Sequence, residues 1–259
     1  MCTAVILNRV SPDHAVVVAA NRDEFLARPA IGPVQLLDRP RAIGGRDQEK
    51  GGSWFGVTEA GFIALLTNQP EPGGPRPAAR SRGEIVLEVL RRGDPAGARA
   101  FLAQLDGAAY NSFNLLYGDA GELEVAYGRA DQGVIEREVV PPGLHILPNG
   151  RLDQAGHRKV ARARALVEPH LGLAWPALLA RLGAVLADHD RPPLDDLPPS
   201  GPDARFPREL VRELHALCIH TPEYGTRSAA IIAVDPGRLA HMMWAPGPPC
   251  TTPFAPASI

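Results

Sequence analysis

The chain has 259 residues, 45% of them hydrophobic and 22% charged, with a formal net charge of −2. That length suits one large globular domain, and the slight acidity excludes the basic field that nucleic acid or an anionic membrane would require. No stretch approaches the ~18 apolar residues of a membrane span, and no basic segment precedes the short apolar run at the start, so neither a span nor a signal peptide is expected.

Residues 3–10 (TAVILNRV) read as a strand, SPD (11–13) as a turn, and HAVVVAAN (14–21) as a second strand. Together they predict an antiparallel hairpin. The second run is apolar without alternation, as in a strand covered on both faces. Residues 26–41 are punctuated by Pro and read as loop. GGSWFGVTEAGFIALLTNQ (51–69) predicts strand, tight turn and strand, and the Pro/Gly-rich segment 70–83 reads as a surface loop or a lid.

Two helices follow, over 84–92 and 94–106, the second opened by an Asp-Pro pair suited to the N-cap and first turn. Strands return at 112–119, 122–129, 133–140 and 143–150. Residues 155–187 predict two helical pieces broken near 169–173, and 207–217 a helix opened by Pro207. The run 224–245 predicts a closing hairpin around DPGR, and the Pro-rich tail 246–259 is expected to lie on the surface. Strand groups alternate with helix groups without an internal repeat. The order predicts an α+β fold over residues 1–259 as one domain: a four-layer αββα sandwich with largely antiparallel sheets.

The first candidate for chemistry is Cys2. Removal of Met1 would leave a thiol and a free α-amine on one residue. The amine titrates near 7.7–8.0 and the thiol near about 8.5, so the amine can take the thiol proton close to neutrality. Against this, position 2 is often unconstrained. ANRDEF (20–25) ends the second strand; alternation puts Asn21 and Asp23 on one face and Arg22 on the other. A carboxylate there could hold the α-amine, and an arginine could favour the thiolate; a strand-end ion pair is the plainer explanation. Asn68 and Asn149 each end a strand run, where an amide can donate to an oxyanion or simply favour a turn. Arg227 opens the last long strand pair and could hold a carboxylate.

The eight histidines show no HxxxH or HxH spacing; His215 and His220 are five apart, a poor metal arrangement, and His145 and His241 read as structural. Cys218 and Cys250 lack partner spacing and read as inert. With Cys2 they are the three cysteines of the chain, which argues against a disulfide framework and for a reducing cytoplasm. No metal site, no cofactor and no nucleotide-binding loop is expected.

MC at the start, NRDE (21–24), GGSWFGV (51–57), LTN (66–68), SRG (81–83), FNLL (113–116), NGRLD (149–153) and YGTR (224–227) occur in this order. The chain therefore closely resembles the NRDE family, also called the Transport and Golgi organization protein 2 family, itself similar to N-terminal nucleophile (Ntn) hydrolases of the bile salt hydrolase and penicillin acylase branch. The resemblance implies the same αββα sandwich. It also implies Cys2 as nucleophile, Asp23 holding the α-amine, Asn68 and Asn149 serving oxyanion and amine, and Arg227 as a late cation. Asn21, Arg22, Arg28 and Trp54 are candidate substrate contacts.

The branch separates its Arg and Asp, whereas Arg22 and Asp23 are adjacent, so a bulge would be needed for both to face one site. QAGHRKV (154–160) stands where an aromatic-proline-lysine segment is expected. Two functions follow as expectations: a cysteine amidohydrolase or acyltransferase on small acyl-amides or acyl-thioesters, or a carrier of haem or acyl lipid without turnover. Family members are linked to haem trafficking and lipid metabolism.

Overall fold

The computed structural model describes residues 3–71, 73–197, 199 and 206–257. Its strands are β1 (Thr3–Asn8), β2 (Val16–Phe25), β3 (Ala30–Asp38), β4 (Arg41–Asp47), β5 (Phe55–Thr58), β6 (Ile63–Asn68), β7 (Phe113–Gly118), β8 (Leu123–Arg129), β9 (Val134–Val139), β10 (Gly143–Leu147), β11 (Tyr224–Asp235), β12 (Arg238–Ala245) and β13 (Ala255–Pro256). Its α-helices are α1 (Gly83–Arg92), α2 (Pro95–Leu102), α3 (Arg158–Val167), α4 (Ala177–Leu186) and α5 (Arg208–Leu214).

The strands form two antiparallel sheets, ordered β10-β1-β2-β11-β12-β13 and β3-β4-β5-β6-β7-β8-β9. The αββα sandwich expected from the order of elements is present. Ala4, Ile6, Val18 and Ala20 of the first sheet face Phe55, Val57, Leu65 and Val125 of the second, making the central core. The odd-numbered residues Val5, Leu7, Val17 and Ala19 face the opposite way, onto α3 and α4. β2 is thus covered on both faces, which is why its apolar run does not alternate. On the far side, Ile85, Val86, Val89 and Leu90 of α1 bury against the second sheet, each worth about 1.5–3 kcal/mol. Asp94 caps α2 by accepting from the Gly97 N–H at 2.8 Å.

Two expectations need correction. Residues 26–41 are not loop throughout: from residue 30 the chain enters the edge pair β3–β4, whose register slips between Ile31 and Val34 and again between Gln35 and Leu37. Pro33 falls inside the first slip, on an edge strand, where a missing N–H breaks no ladder. The tail does more than lie on the surface: Ala255 and Pro256 add the edge strand β13 to β12, and Phe254 packs against the helix-side core.

Candidate functional site

The site is built where β1, β2 and β11 meet. Thr3 pairs with Asn21 across the β1–β2 hairpin. On the other side of β2, Asn21 pairs with Ala229, Arg22 with Ser228 and Asp23 with Thr226, so Arg227 is an extra residue on β11. The bulge that the adjacent Arg22–Asp23 pair called for therefore exists, but on the neighbouring strand. It does not bring the two to one face. Asp23 points to the helix side, where its Oδ1 accepts from Thr226 Oγ1 at 2.6 Å and its Oδ2 lies 4.0 Å from Lys159 Nζ of α3. Arg22 points between the sheets, its guanidinium 4.2 Å from the Trp54 ring centroid.

Asn21 shares the Asp23 face as alternation requires. Its amide nitrogen donates to the carbonyls of Leu186 and Leu217, at 2.8 and 2.9 Å, tying the strand end to the last residue of α4 and to the segment after α5. Those bonds occupy both amide protons, and Asn21 Oδ1 is left without a hydrogen-bond partner among the described residues. The Arg227 guanidinium donates to the Leu26 carbonyl, and with Arg22, Trp54 and Trp244 it lines an opening of about 260 Å³.

Asn68 and Asn149 are brought together from opposite sheets. Asn149 follows β10, and its Nδ2 donates to the Asn68 carbonyl. The turn carrying Asn149 is pinned by Asn114 of β7, whose fully buried amide nitrogen lies 2.7 Å from the Gly150 carbonyl and 3.1 Å from that of Pro148. Thr67 Oγ1 donates to the same Pro148 carbonyl at 3.1 Å. Asn68 and Asn149 line a cleft of about 420 Å³ with Phe25, Arg82, Leu210 and Tyr224. Beside it, Thr3, Arg22, Trp54, Thr67 and Ser228 enclose a hollow of about 10 Å³, room for about one water. Thr3 Oγ1 and Asn21 Oδ1 are buried without hydrogen-bond partners among the described residues. Cys2 lies outside the described residues; Thr3, next in the chain, stands at the hollow.

Arg28 is not part of this grouping. Its guanidinium is paired with Asp47, with Glu24 at 3.9 Å, beside the β2–β3 turn. Burial works to raise the Asp47 carboxyl, but the Arg28 hydrogen bond and the Glu49 and Lys50 backbone donors outweigh it and hold the group below the usual carboxylate range.

Lys159 was not anticipated. It lies on the apolar stripe of α3 with Val160, Ala163 and Val167, and a lysine on such a stripe signals a buried partner. It belongs to the segment that departs from the resembled pattern. His157 and His215 sit near it, and burial first, with the Lys159 charge second, holds both imidazoles below their ordinary range. Cys218 and Cys250, whose spacing in the sequence suggests no pairing, lie with their sulfurs 3.7 Å from one another.

A family model described as Transport and Golgi organisation 2 matches residues 1–243. The Transport and Golgi organization protein 2 homolog of Bos taurus is 33% identical over 233 residues, covering 86% of this chain and 83% of that protein. Among solved structures, a single-residue variant of conjugated bile acid hydrolase from Clostridium perfringens superposes with a TM-score of 0.56 at 9% identity, over 100% of this chain and 97% of that one. An N-acylethanolamine-hydrolyzing acid amidase ortholog from Caenorhabditis elegans gives 0.51 at 10% identity, over 91% and 93%. The shared feature is the fold.

Proposed function

This chain belongs to the Transport and Golgi organisation 2 family, and we propose that it is a cysteine N-terminal-nucleophile amidohydrolase or acyltransferase acting on a small acyl-amide or acyl-thioester. One observation carries the reading. Thr3 pairs with Asn21, two residues before the buried Asp23, and the Asn68–Asn149 pair lines the adjoining cleft. The residue preceding Thr3 is the one whose thiol and α-amine could act together.

In this reading Met1 is removed and the α-amine of Cys2 takes the thiol proton. The sulfur attacks the acyl carbonyl carbon, forming a C–S bond while the carbonyl electrons move to oxygen. Asn149 keeps a second amide proton for that oxyanion, and Asn68 supplies another donor; each is worth about 2.7–4 kcal/mol in the transition state. Collapse breaks the C–N or C–S bond to the leaving group, which takes its proton from the α-amine. Water, or an acceptor amine, then attacks the thioester and frees Cys2. Asp23 holds the ammonium form of the α-amine, and Arg227 and Arg22 sit where an acidic substrate group would enter. The names of the structural neighbours describe hydrolysis of conjugated bile acids and N-acylethanolamines, which supports acyl C–N chemistry. We read residues 1–259 as one cytoplasmic unit, with 70–83 as a lid over the cleft. No helix among the described residues is long and apolar enough to cross a membrane.

The test is a screen of acyl-amides and acyl-thioesters against the wild type and Cys2→Ala, with intact mass to confirm Met1 removal and to trap an acyl group on Cys2. Turnover that survives Cys2→Ala would overturn the proposal. A second reading, a haem or acyl-lipid carrier, draws on the apolar side of the cleft, where Phe25, Leu210 and Leu214 gather. Saturable haem binding with a Soret shift, unaccompanied by turnover, would favour it.

A further inference from the structure

The chain holds a second cluster of chemically competent side chains, outside the strand-end site. His189 follows α4, Cys218 and His220 lie between α5 and β11, and Cys250 lies beyond β12. A ligand atom from each of the four comes within 4.8 Å of all the others. Cys218 Sγ is 3.7 Å from Cys250 Sγ and 3.7 Å from His220 Nε2, and His220 Nε2 is 3.2 Å from Cys250 Sγ.

These separations match a specific template. A tetrahedral ion with metal–sulfur bonds of about 2.3 Å and metal–nitrogen bonds of about 2.0–2.1 Å holds its sulfurs about 3.8 Å apart and sulfur from nitrogen about 3.5 Å. His189 Nδ1 lies 3.0 Å from the Cys218 carbonyl. A carbonyl only accepts, so Nδ1 carries the proton and Nε2 is the lone-pair nitrogen. A ligating histidine that donates its other N–H to a carbonyl is the arrangement that fixes the ring tautomer. The Cys218 N–H donates to the Asp188 carbonyl at 2.9 Å, which locks the His189 segment to the Cys218 segment before any ion arrives.

We propose that His189, Cys218, His220 and Cys250 form a closed two-sulfur, two-nitrogen site for a thiophilic divalent cation, with Zn(II) the ion whose size, geometry and ligand preference fit. Four protein ligands and no open position make it a structural site. Its consequence is local: it fastens the C-terminal segment to the segments after α4 and α5. Thr226 accepts from the Ile219 N–H at 2.9 Å and donates to Asp23 at 2.6 Å, so the fastened segment also buttresses the carboxylate of the strand-end site. Without an ion, burial and the neighbouring Cys250 sulfur push the Cys218 thiol up to about 12. A bound cation reverses that balance, and binding would release the thiol protons to solvent.

The experiment uses the full chain, purified without a metal-affinity tag, stripped with chelator under reducing conditions and reloaded. Wild type should take up one equivalent of Zn(II) by elemental analysis. Co(II) in its place should give thiolate-to-metal charge transfer and the intense visible bands of a tetrahedral site. Cys250→Ser and His220→Ala, both at the surface and checked for folding by circular dichroism, should lose the bound equivalent and the charge-transfer band. His215→Ala, outside the cluster, should keep both. Zn(II) should also protect Cys218 and Cys250 from alkylation, leaving Cys2 reactive. An octahedral Co(II) spectrum, metal retained by Cys250→Ser, absence of stoichiometric binding, or recovery of Cys218 and Cys250 as a disulfide from the reduced preparation would each overturn the proposal. None of these readouts depends on turnover at Cys2.

Discussion

Lys159 Nζ lies 4.0 Å from Asp23 Oδ2, and neither side chain reaches solvent. The pair joins α3 to the end of β2 across the helix-side core. Two charges buried together are sustained by each other, so removing one leaves the other in a medium that cannot solvate it. Lys159→Met should therefore cost about 3–5 kcal/mol, read as the shift in urea midpoint at unchanged slope. Asp23→Asn should cost less on top of Lys159→Met than it does alone, because the partners are in direct contact. A Lys159→Met variant within about 1 kcal/mol of wild type, the ordinary scale of an exposed pair, would show that this one is solvated.

Asn114 sets the position of Asn149. Its amide bridges the Pro148 and Gly150 carbonyls and the Thr67 hydroxyl. Asn114→Leu keeps the volume and removes the donors; the Pro148 carbonyl keeps the Thr67 hydroxyl, so the cost of about 1–3 kcal/mol falls on the Gly150 carbonyl left without its donor. The 148–150 turn should then exchange its amide protons faster, measured by hydrogen exchange on the folded protein. Under the proposed mechanism kcat should fall with little change in KM, since the Asn149 donor is needed when the oxyanion forms. Unchanged exchange in the turn would remove Asn114 from the positioning role.

The hairpin β1–β2, the helix pairs and the closing hairpin β11–β12 were legible because their signals are local: apolar runs, an Asp-Pro cap, a DPGR turn. The opposed faces of Arg22 and Asp23 followed from alternation alone. β3–β4 was not legible, since an edge strand with two register slips and Pro33 carries no clean period. The bulge at Arg227 was foreseen in kind but not in place, because pairing between β2 and β11 joins segments from opposite ends of the chain and sequence carries no register for it. Lys159 stood in plain view on an apolar helix face, but its meaning required the partner strand. The His189–Cys218–His220–Cys250 cluster was invisible for the same reason: its members come from three segments that only the packed helix layer and the tail bring together.

Gly45 lies against Trp54, and a Cβ there would sit 2.1 Å from the indole. The Arg22 guanidinium stands over the same ring, 4.2 Å from its centroid. Gly45→Ala should force the indole off its position at about 1–3 kcal/mol and shift the tryptophan emission. The double variant Gly45→Ala with Trp54→Leu should recover part of the loss, as the smaller side chain yields the space. A Gly45→Ala chain as stable as wild type, with unaltered emission, would mean that Trp54 is not clamped.

Acidification should destabilise the protein in two steps of different origin. His157 and His215 are held below their ordinary range, by burial first and by the Lys159 charge second. The unfolded chain takes up protons at these sites near about pH 6.5, before the folded chain does. Stability should thus fall as pH drops below about 6.5 and stop falling from this cause once the folded imidazoles titrate. The carboxyls of Asp47 and Asp188 are displaced in the same direction, though burial opposes it: hydrogen bonds from Arg28 and Arg162 keep them ionised in the fold. Their contribution is fully present above about pH 4 and is lost as pH falls through the folded values. Thermal unfolding followed from mildly alkaline to strongly acidic buffer should show both declines. The double variant His157→Gln, His215→Gln should shrink the upper one, with His241, also held low by burial first, keeping a part of it, and leave the lower one in place; an unchanged upper decline would assign it to other groups.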